Sequence, residues 1–126
     1  MSKENQSREI RSEVTSDGQL KLSIENVEMP TPKDHEVLLK VEASPINPSD
    51  LGLLISFAAD LSSISSEGSG DDKVTTMNIL PALHKTMTAR FDKSMKVGNE
   101  GGGVVIDAGE AGKGLIGKTV GVAGGA

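Results

Sequence analysis

Two short polar motifs, about fifty residues apart, hold the side chains of this sequence best suited to chemistry. The first is Pro45-Ile46-Asn47-Pro48-Ser49-Asp50. Asn47 is a good helix N-cap, Pro48 suits the first helical position, and Asp50 complements the helix dipole at the third. A helix start at a loop exit also presents N–H groups and a polar cap to a cleft, where a carbonyl oxygen or an amide ligand could be met. The second motif, Gly98-Asn99-Glu100-Gly101-Gly102-Gly103, sets one carboxylate among glycines ahead of the apolar run Val104-Val105-Ile106. Such a carboxylate is exposed on a turn or buried with a partner, because burying it alone is costly. Glu100 therefore reads as a structural anchor rather than a catalytic group.

The elements that must position these motifs follow from periodicity. Leu20, Leu22 and Ile24 alternate with Lys21, Ser23 and Glu25, the pattern of a half-buried strand, with Asp17-Gly18 as a turn before it and Val14 in a hairpin partner. Met29-Pro30-Thr31-Pro32 breaks that strand. Val37, Leu39, Val41 and Ala43 begin a second alternating run, and residues 51–57 supply a short apolar helix. Residues 62–72, rich in Ser, Gly and acid, read as a solvated loop. Residues 78–93 carry Leu80, Leu83, Met87 and Phe91 at helical spacing, with Pro81 in the permissive first turn, which predicts a second helix. Residues 104–106 and 119–122 are strands joined by a turn-rich connection. The expected architecture is mainly β: a small, partly open β-barrel with short helices inserted in one excursion. Residues 1–11 read as a disordered N-terminal tail and 12–126 as one domain.

Composition excludes several function classes. Thirteen basic against eighteen acidic residues give a net charge of −5, and the scattered cations argue against nucleic acid. No apolar run reaches the length of a membrane span, and the first residues lack the apolar core of a secretory signal, so a cytoplasmic protein away from membranes is expected. With no Cys there is no thiol nucleophile, disulfide or thiolate metal site, and with no Tyr there is no tyrosine acid.

Three segments in order, 41–50 (VEASPINPSD), 97–105 (VGNEGGGVV) and 117–122 (GKTVGV), together with the strand near Leu20 and the prolines after it, resemble the N-terminal GroES-like domain of the medium-chain dehydrogenase/reductases. The likeness runs from about Val37 to Val122 and is to the zinc-free quinone oxidoreductase and enoyl reductase branch. Zinc-dependent members carry Cys where Asn47 stands and His where Asn99 stands, and an amide is a poor replacement for either ligand. The resemblance implies hydride transfer from NADPH to a quinone or an activated carbonyl or alkene, with no metal. It implies Asn47 as the catalytic residue beside nicotinamide and substrate carbonyl, Asn47 and Pro48 as cofactor-binding, and Asp50 as fixing the loop. It further implies a small-molecule substrate and allows a homodimer in the full-length form. Two departures stand out. Enoyl thioester reductases have a tyrosine soon after the first motif, where this chain reads Leu51-Gly52-Leu53-Leu54-Ile55-Ser56-Phe57, and this favours a quinone-type acceptor. The segment 58–96 is also longer and more acidic than the family's simple loop.

Nothing after Gly103 fits a dinucleotide-binding βαβ unit, so the sequence is expected to be truncated at its C-terminal end and inactive alone. The alternative function is a free-standing GroES-like interaction module or a non-catalytic fragment. Gly112-Lys113-Gly114-Leu115-Ile116-Gly117-Lys118-Thr119 matches a P-loop pattern, but the β-like, glycine-rich residues after Thr119 predict a strand where a P-loop needs a helix. His35, His84 and the acidic residues 67–72 lack ligand spacing and read as surface groups.

Overall fold

Residues 6–124 are described by the computed structural model of the chain. Their elements are strands β1 (Gln6–Val14), β2 (Gln19–Glu28) and β3 (Val37–Ala43), helix α1 (Pro48–Leu54), then strands β4 (Ala59–Glu67), β5 (Val74–Ile79), β6 (Met95–Lys96), β7 (Glu100–Ala108) and β8 (Thr119–Ala123). Short 3-10 segments at Gly70–Asp72, Pro81–Arg90 and Glu110–Leu115 complete the order. Among the described residues the fold is mainly β, with antiparallel sheets and no closed barrel. Two compact units are formed, one by the described residues up to 27 with Asn47–Val97, the other by Glu28–Ile46 with the described residues from 98.

The first unit holds a five-stranded sheet in the order β4-β5-β2-β1-β6. Leu20 pairs with Met77 across β2 and β5, and both are buried with Val14, Ala58, Ile79 and Met87. Leu22, Ile55, Leu83 and Phe91 pack on that cluster. The alternation of β2 is inward at Leu20 and fades along the strand, leaving Ile24 exposed. The β1–β2 turn closes by Thr15 N–H donating to the Gln19 carbonyl, with Gly18 in the left-handed region at φ 95°.

Three expectations for this unit are corrected. Residues 6–11 of the expected tail belong to β1, where Glu9 pairs with Arg11 at 2.6 Å and with Lys96 at 3.2 Å; residues 1–5 lie outside the described residues. Ion pairing, rather than an apolar face, makes that stretch fit a sheet, which is why its polarity resembles a tail. The expected loop 62–72 is mostly the β4–β5 hairpin, irregular in its pairing between Asp60 and Ser65 and at its tip around Gly68 and Gly70–Asp72. Its return strand reads Val74-Thr75-Thr76-Met77-Asn78-Ile79, a β-branched run with Met77 and Ile79 inward. The expected helix 78–93 is therefore split: residues 78 and 79 end β5, and Pro81–Arg90 winds as 3-10 turns. The Thr86 and Thr88 hydroxyls donate to the Leu83 and Lys85 carbonyls at 2.6 and 2.7 Å, three residues back, and compete with α-helical bonding. Of the four residues at that spacing, Leu83, Met87 and Phe91 reach the core, while Leu80 is exposed.

The second unit holds the three-stranded sheet β3-β7-β8. β7 is central, pairing Leu39 with Val105 on one side and Gly102 with Gly121 on the other. Irregularities between Leu38 and Leu39 and between Val41 and Ala43 turn side chains off the regular alternation, and Val41 is exposed. Val105 is buried. Gly103 is required sterically: a Cβ there would overlap the Lys40 carbonyl oxygen and sit 2.8 Å from its carbon.

Candidate functional site

The first motif folds as its residue types dictate. Asn47 is the N-cap of α1 in extended conformation, φ −90° and ψ 157°, and Pro48 is its first residue. The Asn47 N–H donates to Asp50 Oδ2 at 2.8 Å, and the Asn47 side chain closes the reciprocal half of a capping box. Asp50 is buried, only 7% exposed, as the third residue of α1. The helix ends in an αR C-cap at Ile55, followed by Ser56 with φ 66°, whose hydroxyl accepts from the Ala58 N–H.

The other end of α1 meets a polar relay that the sequence does not signal. Ser12 of β1, fully buried, shares its hydroxyl proton between the Leu53 and Leu54 carbonyls at 3.1 and 3.0 Å. Arg90 Nη2 donates to the same hydroxyl at 3.0 Å. Burial lowers the Arg90 pKa from its ordinary value, and the guanidinium remains protonated across the neutral range.

In the second unit, parts of all three segments singled out in the sequence meet: 41–46, 98–105 and 117–122. β3 runs into the first motif, β7 opens with Glu100, and β8 carries the third segment. The Ser44 hydroxyl donates to the Glu100 carbonyl at 2.9 Å, and the Gly124 N–H donates to the Asn99 carbonyl at 2.6 Å. Pro45, Glu100, Gly101, Gly121, Val122 and Ala123 line a shallow hollow of about 360 Å³. Its wall is mostly backbone and small apolar groups, with the exposed Glu100 at the rim bearing its one charged side chain. Asn47, Pro48 and Asp50 belong to the first unit; in sequence, Asn47 lies two residues beyond Pro45.

A second, open groove of about 660 Å³ lies wholly in the first unit, and sequence reasoning did not find it. Asp17, Asp60, Asn78 and His84 supply its polar groups, and Ile79 and Leu80 part of its apolar wall. Asp60 Oδ1 accepts from the Ser62 N–H and hydroxyl at 3.0 and 2.6 Å, while Asp17 accepts from the Thr15 hydroxyl. His84 Nε2 lies 3.2 Å from the Ser16 carbonyl, to which it donates, and its ring sits 4.9 Å from that of Phe91. The groove joins a β-turn, a hairpin and a 3-10 segment, so no local spacing marks it in the sequence. Among the described residues, no group of three or more His, Cys, Asp or Glu is placed to hold a metal ion. No helix among them is long and apolar enough to cross a membrane.

The P-loop match folds as a 3-10 segment, Glu110–Leu115, and a turn, after which Thr119 opens β8. The Lys118 carbonyl accepts from the Val105 N–H, inside the sheet rather than at a helix N-terminus. That arrangement lacks the strand-to-helix turn that cradles phosphates. No family model matches the chain, and no curated protein matches it.

Proposed function

We propose that this chain is the substrate-side, GroES-like portion of a zinc-free, NADPH-dependent oxidoreductase acting on a quinone or a similarly electron-poor acceptor. One observation carries the reading: the three segments on which the family resemblance rests all line the hollow at Pro45, Glu100, Gly101 and Gly121–Ala123. A wall of glycine backbone and small apolar groups accepts the face of a planar ring, since flat contact is not blocked by side chains. Those residues fit the ring end of a nicotinamide and its acceptor. They do not fit the pyrophosphate, because Gly98–Gly103 leads into a paired strand and not into a helix N-terminus.

When bound, NADPH supplies a hydride, which with one proton reduces a quinone to a hydroquinone. The chain's own part is to seat the acceptor and to aim a donor at the oxygen that gains charge. The family resemblance assigns that donor role to Asn47, and an amide N–H stabilises a developing oxyanion. Asp50 fixes the loop by accepting the Asn47 backbone N–H. Pro48 starts the helix and limits the conformations the loop can take. The test is turnover of NADPH with a quinone by the protein joined to its nucleotide-binding portion. Asn47→Ser should lower kcat by roughly 10²-fold, the scale for losing one oxyanion donor. Unchanged kcat and KM in that variant would reduce Asn47 to a helix cap.

A second reading, an interaction module without chemistry, is favoured by one feature of the first unit. Phe57, Leu61 and Ile64 are 75%, 60% and 59% exposed. Apolar groups so exposed suit a partner surface. Sedimentation of the chain as a monomer at high concentration, with quinone binding retained, would count against it.

A further inference from the structure

We propose that Ser12 and Arg90 are positioning residues for Asn47: they hold the C-terminal end of α1 and thereby set where its N-terminal end points. The inference rests on reading Asn47 as a site residue. α1 has only seven residues, far below the length at which an isolated helix is stable, so its attachments fix its position. At the N-terminal end the attachment is the Asn47–Asp50 capping box. At the C-terminal end there is no basic residue in the last turn to meet the negative end of the helix dipole. The relay from β1 and the 3-10 segment does that work instead. A guanidinium can only donate, so Arg90 must give a hydrogen to Ser12, and the Ser12 proton is thereby directed to the Leu53 and Leu54 carbonyls. A cation stands one hydrogen bond behind the helix end, in a part-buried place where such chains reinforce one another.

Both anchors are tied to the core. Ser12 is two residues from buried Val14, and Arg90 lies between buried Met87 and core-packed Phe91. A tilt at Leu54 is carried along about 10 Å of helix to Asn47, because each residue rises 1.5 Å. Releasing the relay should therefore loosen and reorient the Asn47 end while leaving the sheet intact.

The experiment is amide hydrogen exchange and two-dimensional NMR on the isotopically labelled chain, comparing Ser12→Ala and Arg90→Met with the parent. The Leu51 and Ile55 amides, which donate to the Asn47 and Leu51 carbonyls, report on α1. Their exchange should quicken by about tenfold, while β2 and β5 amides change by less than about threefold. The Asn47 side-chain amide resonances should shift, and Arg90→Lys should recover much of both effects. Equal acceleration of helix and sheet amides, unchanged helix amides, or unmoved Asn47 resonances would each overturn the proposal. If Ser12→Ala does not fold, Arg90→Met against Arg90→Lys decides by the same criteria. Failure of the oxidoreductase reading would leave these NMR effects in place and appear only as unchanged turnover in Asn47→Ser.

Discussion

Replacing Gly103 by Ala adds one methyl group at the closest approach between β7 and β3. The new Cβ would overlap the Lys40 carbonyl oxygen and lie 2.8 Å from its carbon and 3.0 Å from Val41 Cα. Ordinary carbon–carbon contact begins near 3.5 Å, so each distance falls short by about half an ångström or more. The obstructing atoms are backbone, which cannot swing aside as a side chain can. Relief requires β3 to draw away from β7 where Val41 pairs with Gly103. Overpacking costs about 1–3 kcal/mol, and a backbone clash belongs at the upper end. With a urea slope of roughly 2 kcal/mol per molar, the unfolding midpoint should fall by about 1–1.5 M. Gly121→Ala is the matched control in the neighbouring strand. Its Cβ would meet nothing nearer than the Gly101 carbonyl oxygen at 4.0 Å. Removing unfolded-state freedom without a clash should raise stability by about 0.4–1 kcal/mol. Far-UV circular dichroism is the assay, because the chain has no Trp or Tyr for fluorescence. Equal midpoint shifts in the two variants would refute the steric argument, as would a fall under about 0.3 M for Gly103→Ala.

Three further outcomes are expected. Asn47→Ala should cost about 1 kcal/mol in the same urea unfolding through loss of the side-chain half of the capping box, and Asn47→Ser should retain most of that stability. Met87→Ala removes a core side chain that is 4% exposed and should cost roughly 2–4 kcal/mol, with the loss read as a fall in thermal midpoint. Arg8→Ala breaks an ion pair with Asp71 whose partners are 64% and 53% exposed, and should change stability by less than about 0.5 kcal/mol at moderate salt.

The sequence made some elements plain for reasons of local chemistry. Asn-Pro-Ser-Asp contains every signal of a helix start, and α1 begins there with the capping box formed. The alternating run at Val37–Ala43 and the short strand read at residues 119–122 correspond to β3 and β8. The hairpin partner expected at Val14 is β1, but its reach back to Gln6 was hidden because it offers only Ile10 and Val14 as apolar residues and its Glu9 is satisfied by Arg11 in the same strand and Lys96 of β6. β5 was hidden because its last residues overlap a run with helical spacing, and that run is held in 3-10 turns by threonine hydroxyls. At the site, the cap role of Asn47 and Asp50 was local and readable. The meeting of Pro45 with Glu100 and Gly121 depends on pairing of β3, β7 and β8, which no local pattern encodes. Ser12 gave no signal at all, because a serine bound to helix carbonyls has the same one-letter pattern as a serine facing water.

The most direct test of the proposed acceptor site is an amide NMR titration of the labelled chain with a small soluble quinone. The absence of cysteine removes thiol addition as a competing reaction. The account predicts saturable shifts at Ile46, Glu100, Gly101 and Gly121–Ala123, around the hollow and the residue that follows Pro45. Shifts confined to the groove of Asp17, Asp60 and His84, or no saturable shifts at millimolar quinone, would contradict it.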